Sequence, residues 1–134
     1  MKKLLFSHRP FATDLALLIL RVASGGMMAY SHGWGKMQRL LEGDLSFADP
    51  IGIGELPSLV LTVVAELVCG VLVALGLFTR AALVPLIITM VVAVFIVHAD
   101  DPFSKMEFGL LYLVPYLALF LTGPGKISLD KQLG

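Results

Sequence analysis

A chain of 134 residues that is 57% hydrophobic and 15% charged, with a mean hydropathy of +0.89, departs from the roughly 45–50% apolar, 25% charged composition of soluble domains. Ten Lys and Arg balance ten Asp and Glu, so the sequence encodes neither a basic surface for nucleic acid nor an acidic solvating tail, and nucleic acid is set aside as a partner. One cysteine, Cys69, excludes an intrachain disulfide, a CxxC pair and a cysteine-built zinc site, and the length holds a single domain, 1–134, with no dinucleotide or P-loop fingerprint.

The first five residues, MKKLL, resemble the start of a signal peptide. The apolar stretch behind them is delayed by His8, Arg9 and Asp14 and broken by Arg21, so no cleaved signal is expected. A hydrocarbon layer about 30 Å thick needs about 20 mostly apolar helical residues. Four runs approach that length, at 11–30, 59–78, 81–97 and 108–121. The third, AALVPLIITMVVAVFIV, has no polar stripe and is apolar all round, unlike a soluble amphipathic helix. Pro85 and Pro115 fall inside the last two runs, where a membrane bundle tolerates them as kinks and not ends. Residues 31–57 form the only long loop, with a short interfacial helix at 34–41. The expected fold is all-α, an integral membrane four-helix bundle with the lipid bilayer as its first partner.

Positive charge sets the expected orientation. With the N-terminus inside, cytoplasmic segments carry Lys2, Lys3, Arg9, Arg80, Lys126 and Lys131, against Lys36, Arg39 and Lys105 in the outer loops. Both termini are therefore expected to be cytoplasmic.

Two ionisable residues, Arg21 and Glu66, lie deep in the predicted spans, where such groups need a partner or a function. Counted from opposite ends at 1.5 Å per residue, both fall near the midplane. Two readings stand: an ion pair that fixes the register of the first two helices, or a ligand-binding site. Positions 21, 25, 28 and 32 share one helical face, which puts His32 above Arg21 at the outer interface. His98 ends the third span and Glu107 opens the fourth at that level. His32, His98 and Glu107 form a candidate polar cluster at the outer mouth, suited to proton transfer or to binding a polar head group, or else are interfacial side chains reaching water. Two imidazoles and a carboxylate are a known metal ligand set, but without a tight spacing such as HExxH no metal is assigned. Cys69 is read as a packing residue, and Tyr112 and Tyr116 as core or lipid-facing. The small residues Gly25, Ala29, Gly70 and Ala74 mark a close helix contact or a dimer face.

With these features in place, the chain closely resembles the DoxX family of small four-span membrane proteins over about residues 14–133. The resemblance is carried by the first-helix arginine followed by SHGWGKM (31–37), by AELVCGVLVALGLFTR (65–80), by VHADDPF (97–103), and by Glu107 and the ending TGPGKISLD. Cys69 replaces what is often a glycine. The resemblance implies a multi-pass protein of the bacterial or archaeal plasma membrane associated with quinone-linked or sulfur-linked redox systems, because the family takes its name from a subunit of such a complex. Fold is better supported than reaction by such a likeness. The leading expectation is a partner-dependent membrane subunit of an oxidoreductase, with no intrinsic cofactor, a quinone as the candidate ligand near Arg21 and Glu66, and electrons supplied by a redox partner protein. A small carrier working as a homodimer and a scaffold without a site are the alternatives.

Overall fold

The computed structural model describes Ser7, Pro10 and residues 12–134. Four helices in it are long and apolar enough to cross a membrane: α1 (Thr13–Glu42), α2 (Glu55–Leu75), α3 (Thr79–Val97) and α4 (Phe103–Thr122). A short α5 (Leu129–Leu133) closes the chain. The burial pattern is that of a protein dissolved in lipid. Large apolar side chains such as Ile19, Val68, Ile88, Phe95 and Leu111 point outward, while Arg21, Ser24, Glu66 and Thr79 are buried. The apolar interior gathers Met28, Cys69, Val73, Leu83, Leu86, Leu113, Tyr116 and Leu119. Cys69 is thus a free, buried packing residue.

Helix limits follow local chemistry. α1 stops at Gly43 and α2 at Gly76, both left-handed (φ 77° and 69°), a conformation glycine adopts without steric cost. The helix that carries the predicted first span, 11–30, is longer than that span: the start of the span at Phe11 lies outside the described residues, and the helix runs on to Glu42. The expected interfacial helix at 34–41 is the end of this same helix, because Gly33 and Gly35 do not interrupt it. Pro85 and Pro115 lie within continuous α3 and α4. Three helices contain π-helical turns, at Met28–Gly33 in α1, Val64–Cys69 in α2 and Ala93–Val97 in α3. Each widens the helix by one residue per turn, a feature that recurs at functional sites.

Glycine lets α1 and α2 touch backbone to backbone. A Cβ on Gly25 would fall 2.5 Å from Gly70 O, and one on Gly33 2.6 Å from Leu67 N. The small-residue pairs expected from the sequence therefore form an intramolecular seam. Gly33→Val is expected to cost about 3 kcal/mol, because backbone cannot yield as a side-chain tip can. Thermal unfolding in detergent checks this, with Gly35→Ala, where a Cβ meets nothing within 4 Å, as a control expected to match the parent.

Beyond α4 the chain folds back as a strap over the end of the bundle where α1 begins. The Lys126 N–H donates to Asp14 Oδ1 (2.8 Å), so both ends of the described chain meet there. Asp130 caps α3 from this strap: its Oδ1 accepts from Phe78 N–H (2.6 Å) and its Oδ2 from Thr79 N–H (2.9 Å). Burial pushes the Asp130 carboxyl up, but the hydrogen bonds from Thr79 and Phe78, together with the Arg21 charge, hold it below the usual carboxylate range. A group depressed on folding stabilises above its unfolded pKa, and that contribution disappears as pH falls through the folded value. Strap attachment is therefore expected to hold at neutral pH and to weaken below about pH 4. Hydrogen exchange of residues 123–134 across an acid series measures it, and Asp130→Asn should reduce the pH dependence.

Candidate functional site

Arg21 and Glu66 do not meet. Gly33 packs on the backbone of Glu66 and Leu67, so Glu66 lies level with a point twelve residues beyond Arg21 on α1, about 18 Å along the axis. Side-chain direction widens the gap. In a helix the Cα–Cβ bonds tilt toward the N-terminus, so in antiparallel α1 and α2 the two side chains lean apart.

Arg21 is 1% exposed and bonded to main-chain carbonyls. Its guanidinium donates to Ala74 O (3.0 Å) and Val73 O (3.5 Å) at the end of α2, and to Ile127 O of the strap. A cation there complements the exposed carbonyls at a helix C-terminus. Gly76 makes the space, since a Cβ at that position would collide with the guanidinium. Arg21 thus ties α1, α2 and the strap together.

Glu66 has a different counter-ion. Lys36 Nζ lies 2.6 Å from Glu66 Oε2, with the side chains 22% and 6% exposed. One turn past Gly33, Lys36 leans back toward Glu66, and Glu66 leans toward Lys36. The pair borders a cavity of about 190 Å³ lined by Met28, His32, Lys36, Glu66, Met90, Ala93, His98, Lys105, Phe108, Gly109 and Tyr112. All three π-helical turns contribute: Met28 and His32 from the first, Glu66 from the second and Ala93 from the third.

The predicted outer-mouth cluster is thereby redrawn. His32 and His98 both line the cavity, whereas Glu107 is exposed and does not. α4 begins at Phe103, so Lys105, Phe108, Gly109 and Tyr112 follow the spacing of one helical face, and Glu107 falls off it. The Tyr112 ring stands edge-on to His32 at a centroid distance of 5.5 Å. Tyr112 is thus a cavity residue, while Tyr116 is fully buried and donates to Ser24 O (3.2 Å). His98 Nδ1 is 2.7 Å from Asp101 Oδ2, and Lys105 Nζ lies 3.9 Å from the other Asp101 oxygen. Among the described residues, no group of three or more His, Cys, Asp or Glu is placed to hold a metal ion.

Lys36, Tyr112, Lys105 and Asp101 were not singled out in the sequence as site residues. A signal for Lys36 was present: the stripe 21, 25, 28, 32 extends by one more turn to 36.

The cavity combines a buried carboxylate–ammonium pair, two imidazoles, a phenol and an apolar wall, which can bind an oxygen-bearing molecule and exchange protons with it. The chain is 38% identical over 120 residues to a Bacillus subtilis protein named "Putative oxidoreductase CatD", covering 87% of this chain and 86% of that one. It is 37% identical over 90 residues to "Uncharacterized membrane protein Rv3486" of Mycobacterium tuberculosis, covering 52% of each. A Haemophilus influenzae protein is 32% identical over 132 residues, covering 93% and 92%. No solved structure matches. The DoxX family profile matches residues 16–99, and with four apolar helices and a relative matched over most of both chains at this identity, the chain belongs to the DoxX family of membrane proteins.

Proposed function

We propose that this protein is a membrane subunit of a quinone-linked or sulfur-linked redox system, and that the cavity between the three π-helical turns receives the small redox-active molecule. The observation that carries this reading is the Lys36–Glu66 pair at 2.6 Å, held at a cavity whose other polar side chains are two imidazoles, an ammonium and a phenol. Ionisable groups are retained inside a bundle where they partner one another or serve a ligand, and this pair faces open volume. The name of the Bacillus subtilis relative supports the redox assignment.

A quinone head group fits the donor set. Lys36, Lys105, Tyr112 and the imidazoles offer hydrogen bonds to carbonyl oxygens, and Met28, Met90 and Phe108 offer apolar contact to a ring. When bound, a quinone supplies two-electron, two-proton chemistry. This chain's residues then act by position: Lys36 donates to a ligand oxygen, Glu66 holds Lys36 in place and balances its charge, and His32, His98 and Tyr112 exchange protons. Electrons come from a redox partner protein. The protein sits in the plasma membrane with both termini cytoplasmic and the cavity toward the outer face, following the lysine and arginine distribution.

Purification in native nanodiscs followed by mass spectrometry of co-eluting molecules tests the reading. A quinone or an oxidoreductase partner is expected with the parent protein, and quinone retention is expected to fall at least about tenfold in Lys36→Met. Co-elution of lipid alone overturns the proposal. Solute flux in proteoliposomes without an electron donor would replace it with a carrier.

A further inference from the structure

Asp101 belongs to the VHADDPF segment, and the function proposed above assigns it no role. It joins His98 through two contacts in a tight turn: the Asp101 N–H donates to His98 O (3.1 Å), and the Asp101 carboxylate meets His98 Nδ1 (2.7 Å). Lys105, in the first turn of α4, approaches the second carboxylate oxygen. The hydrogen bond from His98 is the main reason that the Asp101 carboxyl stays below the usual range; burial opposes it, and the Lys105 charge adds to it. An ionised carboxylate only accepts hydrogen bonds, so the proton between the two groups belongs to Nδ1. In neutral His98 the free lone pair is then on Nε2, and His98 lines the cavity.

We propose that His98, fixed by Asp101 as its Nδ1–H tautomer, is the proton acceptor of the cavity for a ligand bearing a weakly acidic ring hydroxyl, and that Asp101 is its positioning residue. The inference rests on the cavity being the ligand site. In the step, the ligand O–H bond breaks and an Nε2–H bond forms. The electron pair stays on the ligand oxygen, and the new imidazolium is balanced by Asp101. No oxidant takes part. The charged and titratable groups around the imidazole suit both states: Asp101 beside it, Lys105 from α4, His32 and Lys36 from α1, Glu66 from α2 and Tyr112 from α4. The two ammonium groups receive the oxyanion, and Glu66 is the one carboxylate among the described residues that line the cavity.

Two measurements on the full-length protein in nanodiscs test this. With 15N-labelled histidine, nuclear magnetic resonance of the neutral ring is expected to show His98 protonated at Nδ1 and bare at Nε2. Asp101→Asn should shift it toward the other tautomer, and Asp101→Glu should retain it. A bare Nδ1 in the parent overturns the proposal. In the second measurement the probe is 4-nitrophenol, whose phenolate is yellow. Bound to the parent, it is expected to be at least about tenfold more ionised than free probe at the same pH. His98→Gln and Asp101→Asn should each abolish that excess, and Asp101→Glu should recover part of it. Each variant's melting temperature confirms that folded protein is compared. Probe that binds but ionises as in solution overturns the proposal alone. Probe that fails to bind overturns it together with the ligand-site reading beneath it.

Discussion

Replacing Arg21 by Ala is expected to destabilise the protein by about 3 kcal/mol or more and to release its C-terminal strap. The guanidinium satisfies carbonyls of Ala74 and Ile127 and adds a long contact to Val73 O, which keeps its bond from the Gly76 N–H, and each of the two acceptors left without a donor costs about 1–3 kcal/mol. Neither the aliphatic stem nor the space it fills is replaced by alanine, which adds a cavity term. Asp130 also loses a nearby cation while still capping α3. The measurements are thermal unfolding in detergent and limited proteolysis, in which cleavage within 123–134 should appear in the variant before the transmembrane helices are cut. Gly76→Ala should reproduce this from the other side, because its Cβ would occupy the guanidinium's place at a positive φ of 69°. An Arg21→Ala protein with an unchanged melting temperature and a protected strap would show that Arg21 is not a latch, and would return it to the list of candidate ligand-binding residues.

That expectation keeps the structural reading of Arg21 but changes its partner from Glu66 to main-chain carbonyls, and the reason lies in where a helix ends. Hydropathy placed the first span at 11–30, with Arg21 at its centre. α1 extends to Glu42, because the polar residues 31–42 are as compatible with a helix as the apolar ones before them. Composition reports where lipid contact stops, not where the helix does. Arg21 therefore lies toward the terminus end, and Lys36, counted among loop residues, becomes part of a helix. The four apolar runs, the glycine seam and the facing of Gly25, Met28 and His32 were legible because they depend on solvent and on helical period alone. Partner choice was not. It depends on the level at which two helices cross and on the lean of their side chains, and the three π-helical turns that contribute to the cavity wall leave no mark on the hydrophobic pattern. The contact of His98 with Asp101 depends in turn on a loop geometry that hydropathy does not describe.

The Lys36–Glu66 pair separates the structural role from the functional one. Lys36→Met should destabilise the protein by about 3–5 kcal/mol, since it leaves a carboxylate that is 6% exposed without its cation. Glu66→Gln should cost less, about 1 kcal/mol, because an amide oxygen still accepts from Lys36 and the partly exposed ammonium reaches water more readily than Glu66 does. Removing both charges as Lys36→Met with Glu66→Leu eliminates the buried charge altogether, and apolar replacement of an ion pair is often neutral or stabilising. The double variant is therefore expected to recover most of the stability lost in Lys36→Met, and a double-mutant cycle closed with the single variant Glu66→Leu should give a favourable coupling of about 3 kcal/mol. Function then decides between the roles. If the pair only sets helix register, the double variant should retain quinone and support the associated redox activity as the parent does. If the pair holds a ligand, the double variant should fold and melt near the parent but retain at least about tenfold less quinone, since the nearest ammonium and carboxylate have gone together. Stability recovered without ligand retention is the expected result, because the carboxylate and the ammonium meet at the wall of a cavity and not within a closed helix contact. A register pin needs no volume beside it.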